Sequence, residues 1–285
     1  MTWSKWVPVS DFQGEEVIYE HRARDRGGSV ARILFNRPHR MNALTGVGFR
    51  ELIRCVNDAN RHPDIGVIVI GSMGDHFGTG GDMQWEAGGG LRESIPNFDG
   101  AIKQTLKPVI AAVKGYCIGG HNHLAYHCDF TIAADTAIFG QNGPRVGSPA
   151  HGQFVADLAL VIGIKRAKEF WMLCRQYTAE QALQMGLVNS VVPASKLDEE
   201  VDQWCDELLD LAPTCLAIVK QSFEAVGNNL AAESGRVLSM IAPDFHSRPE
   251  VKEAQQAFFE KRRPNFWPAP TAETETSGDG EANDG

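Results

Sequence analysis

The 285-residue chain contains no apolar run approaching the ~18 residues that a bilayer-spanning helix requires. Its start, Met1-Thr-Trp-Ser-Lys-Trp6, lacks the basic and then apolar pattern of a secretory leader. The six cysteines are scattered, mostly within apolar segments, and none forms a Cys-x-x-Cys pair, so buried thiols are expected rather than disulfides or zinc ligands. Basic residues are outnumbered, 27 Lys and Arg against 36 Asp and Glu, for a net charge of -9. A nucleic-acid groove would need clustered base, and none is evident. His121, His123 and His127 share one helical stretch, but no carboxylate lies suitably close in sequence to complete a metal site. The expectation is a cytoplasmic protein with no metal, no membrane and no nucleic-acid partner.

What is present suffices for a large core. Residues 16–21 and 29–35 read as strands joined by a turn at Asp25–Gly28, followed by a helix over 48–61. Apolar strands at 65–71, 108–113, 129–134 and 137–140 then alternate with helices near 97–107 and from 120, the pattern of an α/β chain with parallel pairing. From Lys165 the pattern is helical, with only 187–192 strand-like. Thr178-Ala-Glu-Gln181 has capping-box spacing and opens a helix closed by Gly186. Segments 195–211, 213–228, 230–241 and 250–262 complete a helical end. The organisation expected is a core over 1–194, a helical region over 195–267 and a disordered acidic tail over 268–285, poor in hydrophobes.

Two glycine turns stand out, Phe77-Gly-Thr-Gly-Gly-Asp82 and Gly115-Tyr-Cys-Ile-Gly-Gly120. Each follows a buried-strand pattern, and the second leads into a helix. Glycine lets backbone approach closely, so two such turns can aim N–H groups at one carbonyl oxygen, stabilising an enolate or tetrahedral oxyanion. A helix N-terminus behind one donor adds a favourable dipole.

These turns occur in order with Asn36-Arg-Pro-His-Arg-Met-Asn-Ala-Leu44 and Cys128-Asp-Phe-Thr-Ile-Ala-Ala-Asp135. Over residues 15–267 the chain resembles the crotonase (enoyl-CoA hydratase/isomerase) superfamily. The resemblance implies a crotonase-like ββα spiral with a C-terminal helical trimerisation region, assembled as a homotrimer or a dimer of trimers. Phe139–Ser148, Trp171–Tyr177, Met185–Pro193 and Glu260–Phe266 resemble the branch of 1,4-dihydroxy-2-naphthoyl-CoA synthases and alicyclic ketoacyl-CoA hydrolases.

The departures from these relatives carry information. The two glutamates that serve hydratases are replaced by His123 and Gly143, which argues against hydration by that carboxylate pair. Bicarbonate-dependent naphthoate synthases also have glycine at the position of Gly143, so Gln141, Asn142 and Gly143 are a candidate bicarbonate niche. The aspartate those synthases need two residues after Ser148 is Ala150 here, with His151 beside it. Their C-terminal tyrosine aligns with His246. Histidine suits general base work near neutral pH.

By resemblance, the candidate catalytic set is Gly81, Gly120, His123, His151 and His246. Arg40 is assigned to the CoA phosphates, Ala43 to the adenine-contacting stretch, and Lys261 to the nucleotide, of its own or of a neighbouring subunit. Thr79, Gly80, Asp82, Met83, Tyr116, Ile118, Gln141, Asn142, Gly143 and Ser148 are assigned to the rest of the acyl-CoA. Coenzyme A enters as part of the substrate, with no tightly bound cofactor. The expected reaction is hydrolytic ring opening of a cyclic β-ketoacyl-CoA, with His151 or His123 activating water and the enolate oxygen between the Gly81 and Gly120 amides. Condensation, hydration and a non-catalytic acyl-CoA-binding scaffold are the alternatives. Asp82 is read as holding its turn. Glu86 and Arg92, in an irregular, glycine-rich segment from Gln84 to Phe98, are read first as solvated charges, with a site role on closure as the alternative.

Overall fold

A computed structural model describes residues 2–90, 98–148, 152–234 and 240–266. The 268–285 tail, Arg92, Ala150 and His151 lie outside the described residues, so the expectations made for them find no counterpart here.

The strands are β1 (Val7–Pro8), β2 (Val17–Ala23), β3 (Ser29–Phe35), β4 (Ile65–Ser72), β5 (Val109–Val113), β6 (Tyr116–Ile118), β7 (Phe130–Ala134), β8 (Ile138–Gly140), β9 (Gln176–Thr178) and β10 (Ser190–Val192). The helices are α1 (Gly46–Arg61), α2 (Met83–Ala87), α3 (Phe98–Gln104), α4 (Gly120–His127), α5 (Gln153–Ile162), α6 (Ile164–Leu173), α7 (Ala179–Gln184), α8 (Leu197–Leu209), α9 (Pro213–Ser234) and, numbered in sequence, α10 (Pro249–Phe259). A seven-stranded sheet runs β1-β2-β3-β4-β5-β7-β10, antiparallel through β3 and parallel beyond it. A small sheet runs β6-β8-β9.

The central strands are apolar without a break because both faces are covered. Ile33, Phe35, Ile68, Ile70, Ala111 and Val113 face the main core with Phe49, Leu52 and Val56 of α1. The alternate residues Val30, Val67, Val69, Ile110 and Ile132 face Leu197, Val201, Cys205 and Leu208 of α8. That period of two across the sheet, and of roughly four along α8, is the packing that the sequence pattern encodes. The start of α1 is held by Thr45, which caps Val47, and by the buried Glu16 carboxylate, which accepts from the Thr45 and Gly48 amides at 3.1 Å each. Trp3 and Trp6 pack the N-terminal arm beneath Arg22, with Arg32 also over Trp6.

The structure corrects the sequence reading at five elements. The Gln84 segment opens as helix α2, because Asp82 caps it by accepting from the Gln84 and Trp85 amides at 2.9 and 3.3 Å. Residues 116–118 form a strand within the second glycine segment, pairing with β8. Helix begins at Gln153, ahead of Lys165, and Gln176–Thr178 is a strand beside β8. Residues 213–234 form one helix without a break at 229.

Candidate active site

The two glycine turns lie backbone to backbone. The Gly78 amide donates to the Tyr116 carbonyl at 2.8 Å, and the Ile118 amide donates to the Gly78 carbonyl at 2.9 Å. Further along, Leu44 donates to the Gly80 carbonyl at 2.9 Å and accepts from the Asp82 amide at 2.8 Å. Leu44 therefore uses the groups on either side of Gly81, and the N–H of Gly81 itself points away from it. Gly80 has φ +91°, and a Cβ there would sit 3.1 Å from the Gly120 nitrogen, so the position needs glycine on both counts. Gly120 is the first residue of α4, where a helix amide has no intrahelical acceptor. Among the described residues neither the Gly81 nor the Gly120 N–H has an acceptor. Two free, adjacent amides at a helix N-terminus form a pocket for developing negative charge.

A cavity of about 650 Å³ opens over these amides. Gly81, Gly120 and His123 line it, as do Arg40, Ala43, Thr79, Gly80, Asp82 and Met83 from the first half of the chain. Tyr116, Ile118, Gln141, Asn142, Gly143 and Ser148 line it from the second. His246 and Lys261 do not. Both are exposed and flank α10, which presents Phe258 and Phe259 to the cavity in their place. The course of α10 corrects the expectation for His246, and Lys261 does not reach the cavity of its own chain.

His123 packs against the rings of Phe154 and Trp171 at 4.5 and 5.2 Å. Burial, with smaller contributions from His127 and His121, depresses its pKa to about 3, leaving it a neutral imidazole and a weak base. Gln141 lies close enough to favour the charged ring but makes no well-formed bond to it. His123 Nε2, the Gln141 amide and Trp171 Nε1 are all buried without a partner among the described residues. They form a neutral polar niche that a second oxygen function of a substrate would satisfy. A side chain at Gly143 would run into the Ser148 carbonyl oxygen, so glycine is needed there for the backbone's own packing. The orphaned Gln141 amide and Trp171 indole N–H beside it are donors that a small anion such as bicarbonate would satisfy.

Glu86, read from the sequence first as a solvated charge, lies at the cavity instead. It is half-buried on α2, lines the cavity, and a Cβ built on Gly81 would overlap its carboxylate oxygen. Burial first, and then the neighbouring Asp82 charge, push its pKa up to about 7. Asp82 goes the other way. Burial opposes its ionisation, but the Trp85 and Gln84 amides and Arg37 outweigh it and hold the pKa below the usual value. Asp82 and Glu86 thus become a charged cap and a near-neutral acid/base side by side. The signal was legible as a like-charge i,i+4 pair once residues 83–87 are taken as helix.

His127 and His76 have structural partners. His127 Nε2 lies 2.9 Å from Asp157 Oδ2, inside a buried cluster with Lys103 and Glu224. His76 Nδ1 accepts from the Tyr116 amide at 3.2 Å. No group of three metal-ligating side chains occurs among the described residues. None of the described helices is long and apolar enough to cross a membrane.

A spiral α/β core, paired glycine amides at a helix N-terminus and a cavity of this size define an enzyme of the crotonase fold, a class that processes acyl-CoA thioesters. The chain belongs to the enoyl-CoA hydratase/isomerase family, whose profile matches residues 25–268. It is similar to a methylmalonyl-CoA decarboxylase solved with 2-nitronate-propionyl-CoA, at 26% identity and a TM-score of 0.79 over 90% of this chain and 99% of that one. An enoyl-CoA hydratase/isomerase from Pseudoalteromonas atlantica T6c matches at 26% identity and a TM-score of 0.76, over 87% and 99% of the two chains. An enoyl-CoA hydratase from Mycobacterium avium subsp. paratuberculosis K-10 gives 26% and 0.70, over 88% and 98%.

Proposed function

We propose that the chain cleaves the carbon–carbon bond between the α-carbon of an acyl-CoA and a β-carbonyl, by hydrolytic opening of a cyclic β-ketoacyl-CoA. The observation that carries this reading is the Glu86 carboxyl, titrating near neutrality beside the Gly81 amide. Ionised Glu86 takes a proton from water as the water oxygen adds to the ring ketone. The neutral His123, Gln141 and Trp171 niche supports the oxyanion on the former ketone oxygen. The ring bond then breaks toward the α-carbon, giving a carboxylic acid and a thioester enolate whose oxygen lies between the Gly81 and Gly120 amides. Glu86 returns its proton to the α-carbon, and the new acid ionises to solvent. One group with a pKa near 7 performs both transfers, the work that hydratases divide between two carboxylates.

Arg40 is proposed to meet the CoA phosphates; Phe258 and Phe259 line the same cavity. The exposed apolar side chains Ile218, Phe223 and Val226 of α9, with Ile164 and Met172 of α6, support assembly as a trimer or a dimer of trimers.

A second reading, decarboxylation of a malonyl-type acyl-CoA, is favoured by the depressed basicity of His123. Loss of CO₂ needs no base, only the enolate hole and protonated Glu86 to quench the α-carbon. The likeness to a methylmalonyl-CoA decarboxylase supports it.

The test is mass spectrometry after incubation with 2-ketocyclohexanecarboxyl-CoA in H₂¹⁸O. A ring-opened product with ¹⁸O in its new carboxylate, lost in Glu86→Gln, is expected. Turnover of methylmalonyl-CoA to propionyl-CoA without ring opening would transfer the site to the second reading. Failure of both, with acyl-CoA still bound, would leave a scaffold.

A further inference from the structure

His121 immediately follows Gly120 on α4 and is 1% exposed. Its Nδ1 accepts the Gly80 N–H at 3.0 Å, so Nε2 carries the proton. We infer that His121 is a positioning residue that sets the separation of the Gly81 and Gly120 amides by tying the first glycine turn to the start of α4.

Gly80 is pinned on both sides, its N–H by His121 and its C=O by the Leu44 amide at 2.9 Å. The Gly80 carbonyl and the Gly81 N–H belong to one rigid peptide plane. Fixing Gly80 therefore fixes the direction of the Gly81 donor. The other donor, Gly120, is joined to His121 by a single peptide bond, so one imidazole spans both halves of the hole.

The ring cannot turn away. It packs edge-on against Phe35 and Phe77, with centroids at 4.6 and 5.7 Å, and a Cβ on Gly78 would overlap three of its atoms. Burial depresses its pKa to about 3, so it remains an acceptor at any pH near neutrality. Its Nε2 has no partner among the described residues, a cost that an apolar side chain would avoid. The ring that meets this cost also satisfies the Gly80 amide, which has no other acceptor among the described residues.

The inference rests on the enolate reading, and its test separates the two. Acetyl-CoA labelled with ¹³C at the thioester carbonyl is bound to the full chain, and its carbonyl stretch is measured by difference infrared spectroscopy. In the wild-type protein two well-placed donors should shift the band to lower frequency. His121→Ala should lose more than half of that shift while still binding acetyl-CoA. His121→Asn, whose Oδ1 stands near the position of Nδ1, should restore most of it. A full wild-type shift in His121→Ala, or no recovery in a folded His121→Asn, would overturn the positioning role. Absence of a shift in the wild type would overturn the enolate reading, and this inference with it. Should His121→Ala fail to fold, ¹⁵N-histidine NMR of the wild type decides. A neutral Nε2–H tautomer persisting from pH 8 to pH 5 is expected, and an Nδ1–H tautomer or protonation in that range refutes the inference.

Discussion

Replacing His121 by asparagine and Glu86 by glutamine should change acid stability in opposite directions. His121 has its pKa lowered from 6.5 to about 3. Above pH 6.5 both folded and unfolded chains hold it neutral and it contributes nothing. As pH falls below 6.5, the unfolded chain takes a proton that the folded chain refuses, so stability is lost down to the folded value. At pH 5 the loss is about 2 kcal/mol, from 1.36 kcal/mol per pKa unit. Glu86 has its pKa raised from 4.5 to about 7. There the folded chain holds the proton, and stability is lost as pH rises from 4.5 through 7. Moving from pH 8 to pH 5 therefore returns about 2 kcal/mol. His123, depressed like His121, adds to the acid loss, so the wild-type curve mixes several groups. Asp82 and Asp157, both held low, retain their stabilisation until the pH falls below the ordinary carboxylate range, outside this window. Differences between variant and wild type isolate each group. In urea unfolding followed by tryptophan fluorescence, His121→Asn should gain about 2 kcal/mol on the wild type between pH 8 and pH 5, and Glu86→Gln should lose a similar amount. Parallel pH curves for both variants, or shifts of the same sign, would refute the assigned environments.

Gly78→Ala places a methyl group into the His121 ring, which Phe35 and Phe77 prevent from moving, so a loss of about 1–3 kcal/mol or more is expected in thermal or urea unfolding. Gly81→Ala meets only the end of the Glu86 side chain, so the protein should keep its melting temperature and lose turnover. Asp157→Asn breaks a buried cluster in which Asp157 and Lys103 are each 8% exposed at the side chain, and should cost roughly 3–5 kcal/mol in chemical unfolding. The paired Lys103→Met, Asp157→Leu variant should recover only part of that loss, because it removes both members of the central pair but takes Lys103 from Glu224 and Asp157 from His127.

The sheet was legible because its strands carry their signal locally. Ile65–Ser72 and Val109–Val113 are unbroken apolar runs, as expected of parallel strands covered on both faces. The elements missed are those whose local signal is short or saturated. Tyr116–Ile118 has three residues between glycines, and its pairing with β8 is set by the chain twenty residues away. Gln153–Ile162 is apolar on nearly every side, so no helical period emerges from its sequence. Met83–Ala87 is one turn and a half, below the length at which periodicity can be read, and it stands only because Asp82 caps it.

The same division runs through the site. Glycine turns declare themselves, since few other residues permit such backbone, and the cavity formed over them. The acid/base and positioning groups do not, because their chemistry is a property of surroundings rather than of residue type. Glu86 is one of many surface-coloured glutamates until α2 turns it onto Gly81 and sets Asp82 one turn behind it; burial and that single neighbouring charge then raise its pKa to about 7. His121 looks like a metal ligand in the spacing of three histidines, yet burial between two phenylalanines removes both its charge and its access to an ion. What is left to it is a lone pair, aimed at the Gly80 amide, which has no other acceptor among the described residues.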